Sequence, residues 1–246
     1  MTVFIRTIFL IAGLSMMARA SDVRVAAASD LNFAIKEIIA NFETQTGNKV
    51  KLTLGSSGNF YAQIANGAPF EVFLSADLDY PRQLENRGLA ERGSTFTYAV
   101  GKIAIWVPGG SSIDPRKTEM QSLLDPSVRK IAIANPLHAP YGKAAVAAMK
   151  QAGVYEAVKS KLVFGENISQ AAQFVQSGAA DIGVIALSLV RNNEAKYWEV
   201  PSGMYPRMEQ GAVLVKGAGP SARAFHEWLR RPDSRQILSR SGFGLP

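Results

Sequence analysis

The 246-residue chain contains no cysteine and only two histidines, His138 and His226. The first absence excludes disulfides, thiolate nucleophiles and cysteine-held metals together. The second leaves no pair of imidazoles at ligand spacing, so no metal site is expected and no cofactor with it. There is no G-x-S-x-G elbow, no G-x-x-x-x-G-K-[ST] phosphate loop and no G-x-G-x-x-G turn, which removes the common signatures of serine hydrolases and nucleotide binders. Acidic residues are fewer than basic ones, 20 against 27. The basic residues are spread along the chain rather than clustered with aromatics, so the excess is no nucleic-acid footprint.

A long apolar run is also missing everywhere but at the N-terminus. There Arg6 precedes the run Thr7 to Met17, and Ala18-Arg19-Ala20 has the A-x-A form of a cleavage site. The run is too short to span a bilayer. Residues 1–20 are therefore read as a secretory signal peptide, with an N-terminal anchor as the alternative, and the remainder as an exported, periplasmic protein. Arg6 and Arg19 leave with the leader, so the mature balance is about +5 rather than the +7 of the whole chain. A modest positive balance of this size attracts small anions. With 47% hydrophobic residues the chain has ample material for one large core or two smaller ones.

What is present is one pattern written four times. Val25-Ala26-Ala27-Ala28 runs into Ser29-Asp30-Leu31, and Val50 to Leu54 runs into Gly55-Ser56-Ser57-Gly58-Asn59. Ile131 to Ala134 runs into Asn135-Pro136-Leu137-His138-Ala139-Pro140-Tyr141-Gly142, and Leu162-Val163-Phe164 into Gly165-Glu166-Asn167-Ile168-Ser169. Each passage reads as a strand delivering the chain into a helix start. Such a start presents unpaired N–H groups and a partial positive charge, and in open α/β sheets these starts collect at the carboxyl ends of the strands. Four of them facing one point, at about half a unit charge each, would offset roughly a dianion.

Taken in order, Leu31, Ala34, Ile35, Ile38, Ile39 and Phe42 fall at helical spacing before Gly47, and Phe60 and Ile64 share a face of the next helix. A strand at 72–75 runs into Asp77-Leu78-Asp79 and a helix that ends near Gly88. Alternation at this spacing predicts βαβ units and mostly parallel sheets. Residues 98–107 are long for one strand and read as a crossing between two lobes. A second lobe then repeats the pattern, with helices from Tyr141 and Ile168, a strand at 181–186, strand candidates at 197–200 and 211–215, and the latter as the return crossing. Helices opened by Pro220 and broken at Pro232 close the chain and pack back on the first lobe. The expected lobes are 21–98 with 210–246, and 99–209.

Candidate side chains keep two readings each. Ser29, Ser56 and Ser57 are hydrogen-bond donors for an anion or plain helix caps; as nucleophiles they have only the two histidines to serve as base. His138 is read as structural, and Asp77 and Asp79 as caps rather than an acid–base pair.

The blocks Ala26-Ala27-Ala28-Ser29, Gly55-Ser56-Ser57-Gly58-Asn59-Phe60 and Gly67-Ala68-Pro69-Phe70-Glu71-Val72-Phe73-Leu74-Ser75-Ala76-Asp77 resemble the periplasmic molybdate-binding proteins of ABC transporters, the ModA type. Asn135 to Gly142, Asn167 to Ala172 and Gly242-Phe243 extend the resemblance over nearly the whole mature chain. It implies a type II periplasmic binding protein fold of two α/β lobes joined by two crossing strands, one oxyanion in the cleft, and a membrane permease as partner to a monomer. By position, Ser29 and Ser57 would bind through hydroxyl and N–H groups, Tyr141 and Ile168 through backbone N–H groups, with Asp30 and Ser56 beside them.

Two positions depart from the family pattern. Many members carry a tyrosine where this chain has Ala186, and the Tyr141 phenol is the candidate substitute. Asp30 would repel a dianion unless it turns away or bonds a donor. The implied ligands are molybdate and tungstate, with the smaller sulfate rejected because its bonds would be too long. Another small anion, such as a thio-oxyanion or a small carboxylate, is the alternative ligand. An anion-processing enzyme is the competing class, without a convincing nucleophile–base pair to support it.

Overall fold

A computed structural model describes residues 22–190 and 196–246; the leader expected at 1–20 lies outside them. Two five-stranded sheets are built in turn. The first contains β1 (Val23–Ala28), β2 (Val50–Gly55), β3 (Val72–Ser75), β4 (Phe96–Gly101) and, from the far end of the chain, β10 (Met208–Leu214). The second contains β5 (Ile103–Val107), β6 (Ile131–Ala134), β7 (Leu162–Gly165), β8 (Ile182–Ala186) and β9 (Lys196–Glu199). The helices are α1 (Ala34–Thr46), α2 (Ser57–Ala65), α3 (Asp79–Asn86), α4 (Pro115–Thr118), α5 (Pro140–Gln151), α6 (Tyr155–Val158), α7 (Ile168–Gln176), α8 (Pro220–Trp228) and α9 (Pro232–Arg240).

The strand orders are β2-β1-β3-β10-β4 and β7-β6-β8-β5-β9. In each sheet three strands pair in parallel, and one reversed strand, β10 or β5, pairs antiparallel on both sides. Four of five strands in each sheet therefore point the same way. The reversed strands are the ones nearest the passages between sheets. Only Lys102 separates β4 from β5, so the expected crossing at 98–107 is two strands, each belonging to a different sheet.

Both faces of the first sheet are buried, and successive β1 residues serve opposite cores. Val25 and Ala27 pack with Ile35, Ile38 and Phe42 of α1, while Ala26 packs with Phe60, Ile64 and Phe73. This is the period-two alternation of a strand covered on both sides. On the α1 face the ring of Phe42 meets Phe225 at 5.1 Å and Trp228 at 5.5 Å, both edge-on. The C-terminal helices thus pack on the first sheet as expected. Beyond α9, Val100 and Gly244 exchange backbone hydrogen bonds of 2.7 and 2.9 Å, which adds the chain end to the edge of β4.

Two elements differ from expectation. The first strand does not enter an α-helix directly: Ser29–Leu31 form a 3-10 turn, and α1 begins only at Ala34. Short helical turns at Pro115–Thr118, Glu119–Leu124 and Tyr155–Val158 went unforeseen, because four to six residues are too few to establish a helical period.

His226 sits in the α8 core with 1% of its side chain exposed, edge-on to Phe96 at 4.9 Å, and neither ring nitrogen has a hydrogen-bond partner among the described residues. Burial holds its pKa below the ordinary value of 6.5, and the nearby Arg230 adds to the effect. The folded state therefore favours the neutral ring: its stability contribution is full above pH 6.5 and falls as the pH drops below it. Thermal denaturation between pH 5 and 7.5 should show a shallower acid-side loss in His226→Leu than in the wild type; equal slopes would remove His226 as a source.

Candidate anion-binding site

The carboxyl ends of the strands in both sheets meet at a small, nearly closed cavity of about 10 Å³, lined by Ala28, Ser29, Asp30, Gly55, Ser56, Ser57, Ala76, Ala139, Pro140, Tyr141 and Ile168. All six residues singled out by sequence, Ser29, Asp30, Ser56, Ser57, Tyr141 and Ile168, are in this lining. It holds no lysine or arginine, and Asp30 is its one ionised-type side chain apart from the phenol of Tyr141. A second groove nearby is lined by Asp77, Asp79, Arg82, Lys143, Arg207 and Glu209, where charges of both signs offset one another.

Three helices begin at the small cavity, and in each the N–H of the third residue is taken up by the residue at the N-cap. Ser56 Oγ accepts from Asn59 N–H, the Ala139 carbonyl from Gly142 N–H, and Asn167 Oδ1 from Gln170 N–H. The amides left over are those of Ser57, Tyr141 and Ile168, which have no acceptor among the described residues. At α5, Pro140 occupies the first position, so Tyr141 carries the first N–H the helix has. An anion is the natural acceptor for such groups. The fourth expected helix start is the 3-10 turn at Ser29, too short to carry a helix dipole, so three dipoles rather than four point here.

The Ser29 and Ser56 hydroxyls are engaged across the cleft and that of Ser57 within the first half. Ser29 Oγ donates to Asn167 Oδ1 at 3.1 Å and accepts from Ser169 N–H at 3.3 Å, while Ser169 Oγ donates to the Ser29 carbonyl at 2.8 Å. Ser57 Oγ accepts from Ala76 N–H at 2.9 Å and ties the α2 start to the end of β3. Ser56 is both a helix cap and the partner of His138 Nδ1 at 2.9 Å. Beside it the Gly58 N–H donates to the His138 carbonyl at 3.0 Å. Asp77 Oδ1 accepts from Asp79 N–H, but neither aspartate is the cap expected of it: Leu78 stands at the N-cap of α3, and Asp79 is the first residue of the helix.

Ser56, His138 and Glu166 lie in a row that superficially resembles a nucleophile, a base and an orienting acid. Glu166 stands 3.7 Å from His138 Nε2 with 71% of its side chain exposed, too far and too solvated to fix the imidazole. The row acts as a latch between the two halves.

Asp30 is the unusual member. Its side chain is completely buried, with Oδ2 accepting from the Tyr141 hydroxyl at 2.8 Å and from Gln210 Nε2 at 2.7 Å. Gln210 in turn takes a 2.8 Å bond from the Tyr98 hydroxyl, and Ser188 Oγ donates to the Asp30 carbonyl at 2.8 Å. Asp30 Oδ1 has no partner among the described residues. Burial raises the Asp30 pKa to about 6 from an ordinary 3.8, against the pull of the Gln210 and Tyr141 hydrogen bonds and of the nearby Asp30 and Leu31 backbone N–H groups. Burial and the Asp30 charge push both phenols well above their usual range, so Tyr98 and Tyr141 remain donors. Sequence reasoning missed Tyr98, Gln210, Asn167, Ser169 and Ser188 as parts of this cluster. Asn167 and Ser169 lay within a quoted helix start, and Gln210 left a signal as a neutral amide just before the apolar run from Gly211.

Two outcomes follow from these contacts. Because the folded state holds the Asp30 proton more tightly than the unfolded chain, stability falls as the pH rises from about 4 to about 6 and stays reduced above that, by about 3 kcal/mol. Asp30→Asn keeps an acceptor for Tyr141 and Gln210 without the charge, so denaturant titration should find it more stable than the wild type at pH 8, with the gain vanishing near pH 4; no gain at pH 8 would contradict the assignment. A Cβ at Gly58 would stand 2.6 Å from the His138 carbonyl oxygen. Gly58→Ala should therefore disfavour the shut arrangement by about 1–3 kcal/mol, read as a larger radius of gyration by solution scattering; an unchanged radius would show the contact to be dispensable.

The model of the family described as bacterial extracellular solute-binding proteins matches residues 23–244. A relative from Azotobacter vinelandii named molybdate-binding protein ModA is 41% identical over 238 residues, covering 94% of this chain and 93% of that protein. The protein of the same name from Rhodobacter capsulatus is 41% identical over 238 residues, covering 95% of this chain and 92% of its own length. Among solved structures, the Azotobacter vinelandii periplasmic molybdate-binding protein superposes with a TM-score of 0.85 at 34% identity, over 92% of this chain and 100% of that one. Two mixed sheets, a cleft between them and near-complete coverage by these relatives lead to one conclusion: the chain belongs to the bacterial extracellular solute-binding proteins, beside the ModA molybdate-binding proteins.

Proposed function

We propose that the chain is a periplasmic binding protein that captures a tetrahedral oxyanion, molybdate and also tungstate, between two lobes and delivers it to the permease of an ABC transporter. The observation that carries this reading is the meeting of three acceptor-free helix amides, at Ser57, Tyr141 and Ile168, with the Ser57 hydroxyl around one small cavity free of cationic side chains, where the Ser29 hydroxyl, now donating to Asn167, can turn to the anion. Neutral donors suit an anion that must later leave, because each hydrogen bond to a charged group contributes about 1.5–3 kcal/mol without a buried cation. Size selection follows from the same donors. An anion of the wrong bond length leaves some of them unpaired, at about 1–3 kcal/mol each.

In this reading residues 1–20 direct export, and the mature monomer divides into two lobes a few residues from the expected 98/99 and 209/210, since β4 carries the first sheet to Gly101 and β10 re-enters it at Met208. Ser29, Asp30, Ser56 and Ser57 come from the first lobe, Tyr141 and Ile168 from the second. The Tyr141 phenol, bonded to Asp30, acts on the anion through that carboxyl group rather than as a free donor.

Thermal shift and calorimetry on the exported protein with molybdate, tungstate, sulfate, phosphate and acetate test this. Molybdate and tungstate should raise the melting temperature, with about 2.7 kcal/mol of stabilisation at a hundredfold excess over the dissociation constant. Ser29→Ala and Ser57→Ala should each weaken molybdate by about 10- to 150-fold. A response to another member of the panel and none to molybdate would overturn the assignment.

A further inference from the structure

Asp30 lies where a dianion-binding site should least tolerate a carboxylate. It lines the cavity, it is fully buried, and its surroundings offer no cation. The ionisable groups that face it are two phenols, Tyr141 on α5 and Tyr98 on β4. The other neighbours are neutral: Gln210 on β10, Ser188 in the turn after β8, and α7, whose sequence has no ionisable residue. The backbone closes one side, since a Cβ at Gly101 would fall 2.7 Å from the Tyr141 hydroxyl and 2.8 Å from Gln210 Nε2. Within this enclosure the two carboxyl oxygens are unlike. Oδ2 accepts two side-chain hydrogen bonds, whereas Oδ1 accepts none from a side chain of the described residues.

Resting on the oxyanion reading above, we propose that Asp30 is a proton-carrying member of the site: the cleft takes up one proton together with each dianion, and holds it on Asp30 Oδ1. The step is a protonation only. A solvent proton adds to the carboxylate as the anion enters, no other bond changes, and the filled site carries the charge of the anion alone. Burial already raises the Asp30 pKa to about 6 in the absence of the anion. A double negative charge arriving in the same enclosure raises it further. Protonated, Oδ1 becomes a donor, so an oxygen that had no partner gains one and a repulsive carboxylate becomes a hydrogen bond. The device makes capture stronger at lower pH and ties the site to anions that tolerate a neighbouring acid proton.

Calorimetry of the exported protein with molybdate between pH 7 and 9, in two buffers of different ionisation enthalpy, measures the proton directly. The expected result is close to one proton taken up per molybdate at pH 8 and an affinity that falls about tenfold per pH unit. Asp30→Asn should show neither uptake nor slope, whereas His138→Asn, altered at the other titratable group of the cleft, should keep the uptake. Should Asp30→Asn fail to fold or to bind, difference infrared spectra of the wild type give the same answer: a protonated-carboxyl band should appear at pH 8 when molybdate is added. Molybdate binding without proton uptake and without that band overturns this proposal and leaves the binding function standing, as does uptake that survives in Asp30→Asn or disappears in His138→Asn. No binding of any oxyanion of the panel at any pH overturns both.

Discussion

A helix cannot satisfy its own first amides, and everything about the cleft follows from where this fold puts three of them. Caps from Ser56, Ala139 and Asn167 take up the later donors of α2, α5 and α7, and the amides of Ser57, Tyr141 and Ile168 remain. Buried N–H groups without acceptors are costly, so a structure that assembles three at one point is incomplete without a negative partner. The sheets make the assembly possible. In each of them the parallel strands carry their helix starts to one edge, and the reversed strands β5 and β10 fix how the two edges face each other.

Charge is handled in the cleft by dipoles and by one acid, not by lysine or arginine. Three helix starts supply about one and a half positive charges in aggregate, short of the two a dianion carries. A carboxylate about 5 Å from a dianion would oppose binding by several kcal/mol even at an effective dielectric constant near 20. The Tyr98–Gln210–Asp30–Tyr141 chain of hydrogen bonds is therefore more than a spacer between lobes. It holds the acid where burial favours its protonated form, and under the proton-uptake proposal that proton would meet the shortfall in dipoles with a donor instead of worsening it with a charge.

Much of this was legible in the residues. The strand-to-helix passages, the crossing near residue 100 and the return of α8 and α9 to the first sheet follow from periodicity and breakers, and the six cavity residues follow from the family resemblance. What escaped has a physical reason in each case. The 3-10 turn at Ser29 has the same composition as a helix start, since Ser-Asp-Leu caps either equally well, and only the delayed onset of α1 at Ala34 separates them. Partners such as Asn167 for Ser29, or Gln210 for Asp30, lie 138 and 180 residues away in sequence. Such pairings are set by the docking of one sheet on the other, which no local pattern encodes.

The same docking explains why affinity belongs to the shut arrangement rather than to either half. On the oxyanion reading, Ser29 and Ser57 arise from one sheet and Tyr141 and Ile168 from the other, so an open cleft would offer an anion only part of the proposed donor set. Several bonds that hold the halves together need no guest at all, among them Ser29 with Asn167 and Ser169, Gly58 with His138, and Asp30 with Tyr141 and Ser188. Each raises the fraction of molecules already competent to bind, and the apparent dissociation constant falls in proportion to that fraction. Closing contacts and anion contacts are thus separate levers on one equilibrium. The first set joins side chains and backbone groups that meet across the cleft; the second, on the oxyanion reading, rests chiefly on backbone amides that the helices cannot use themselves.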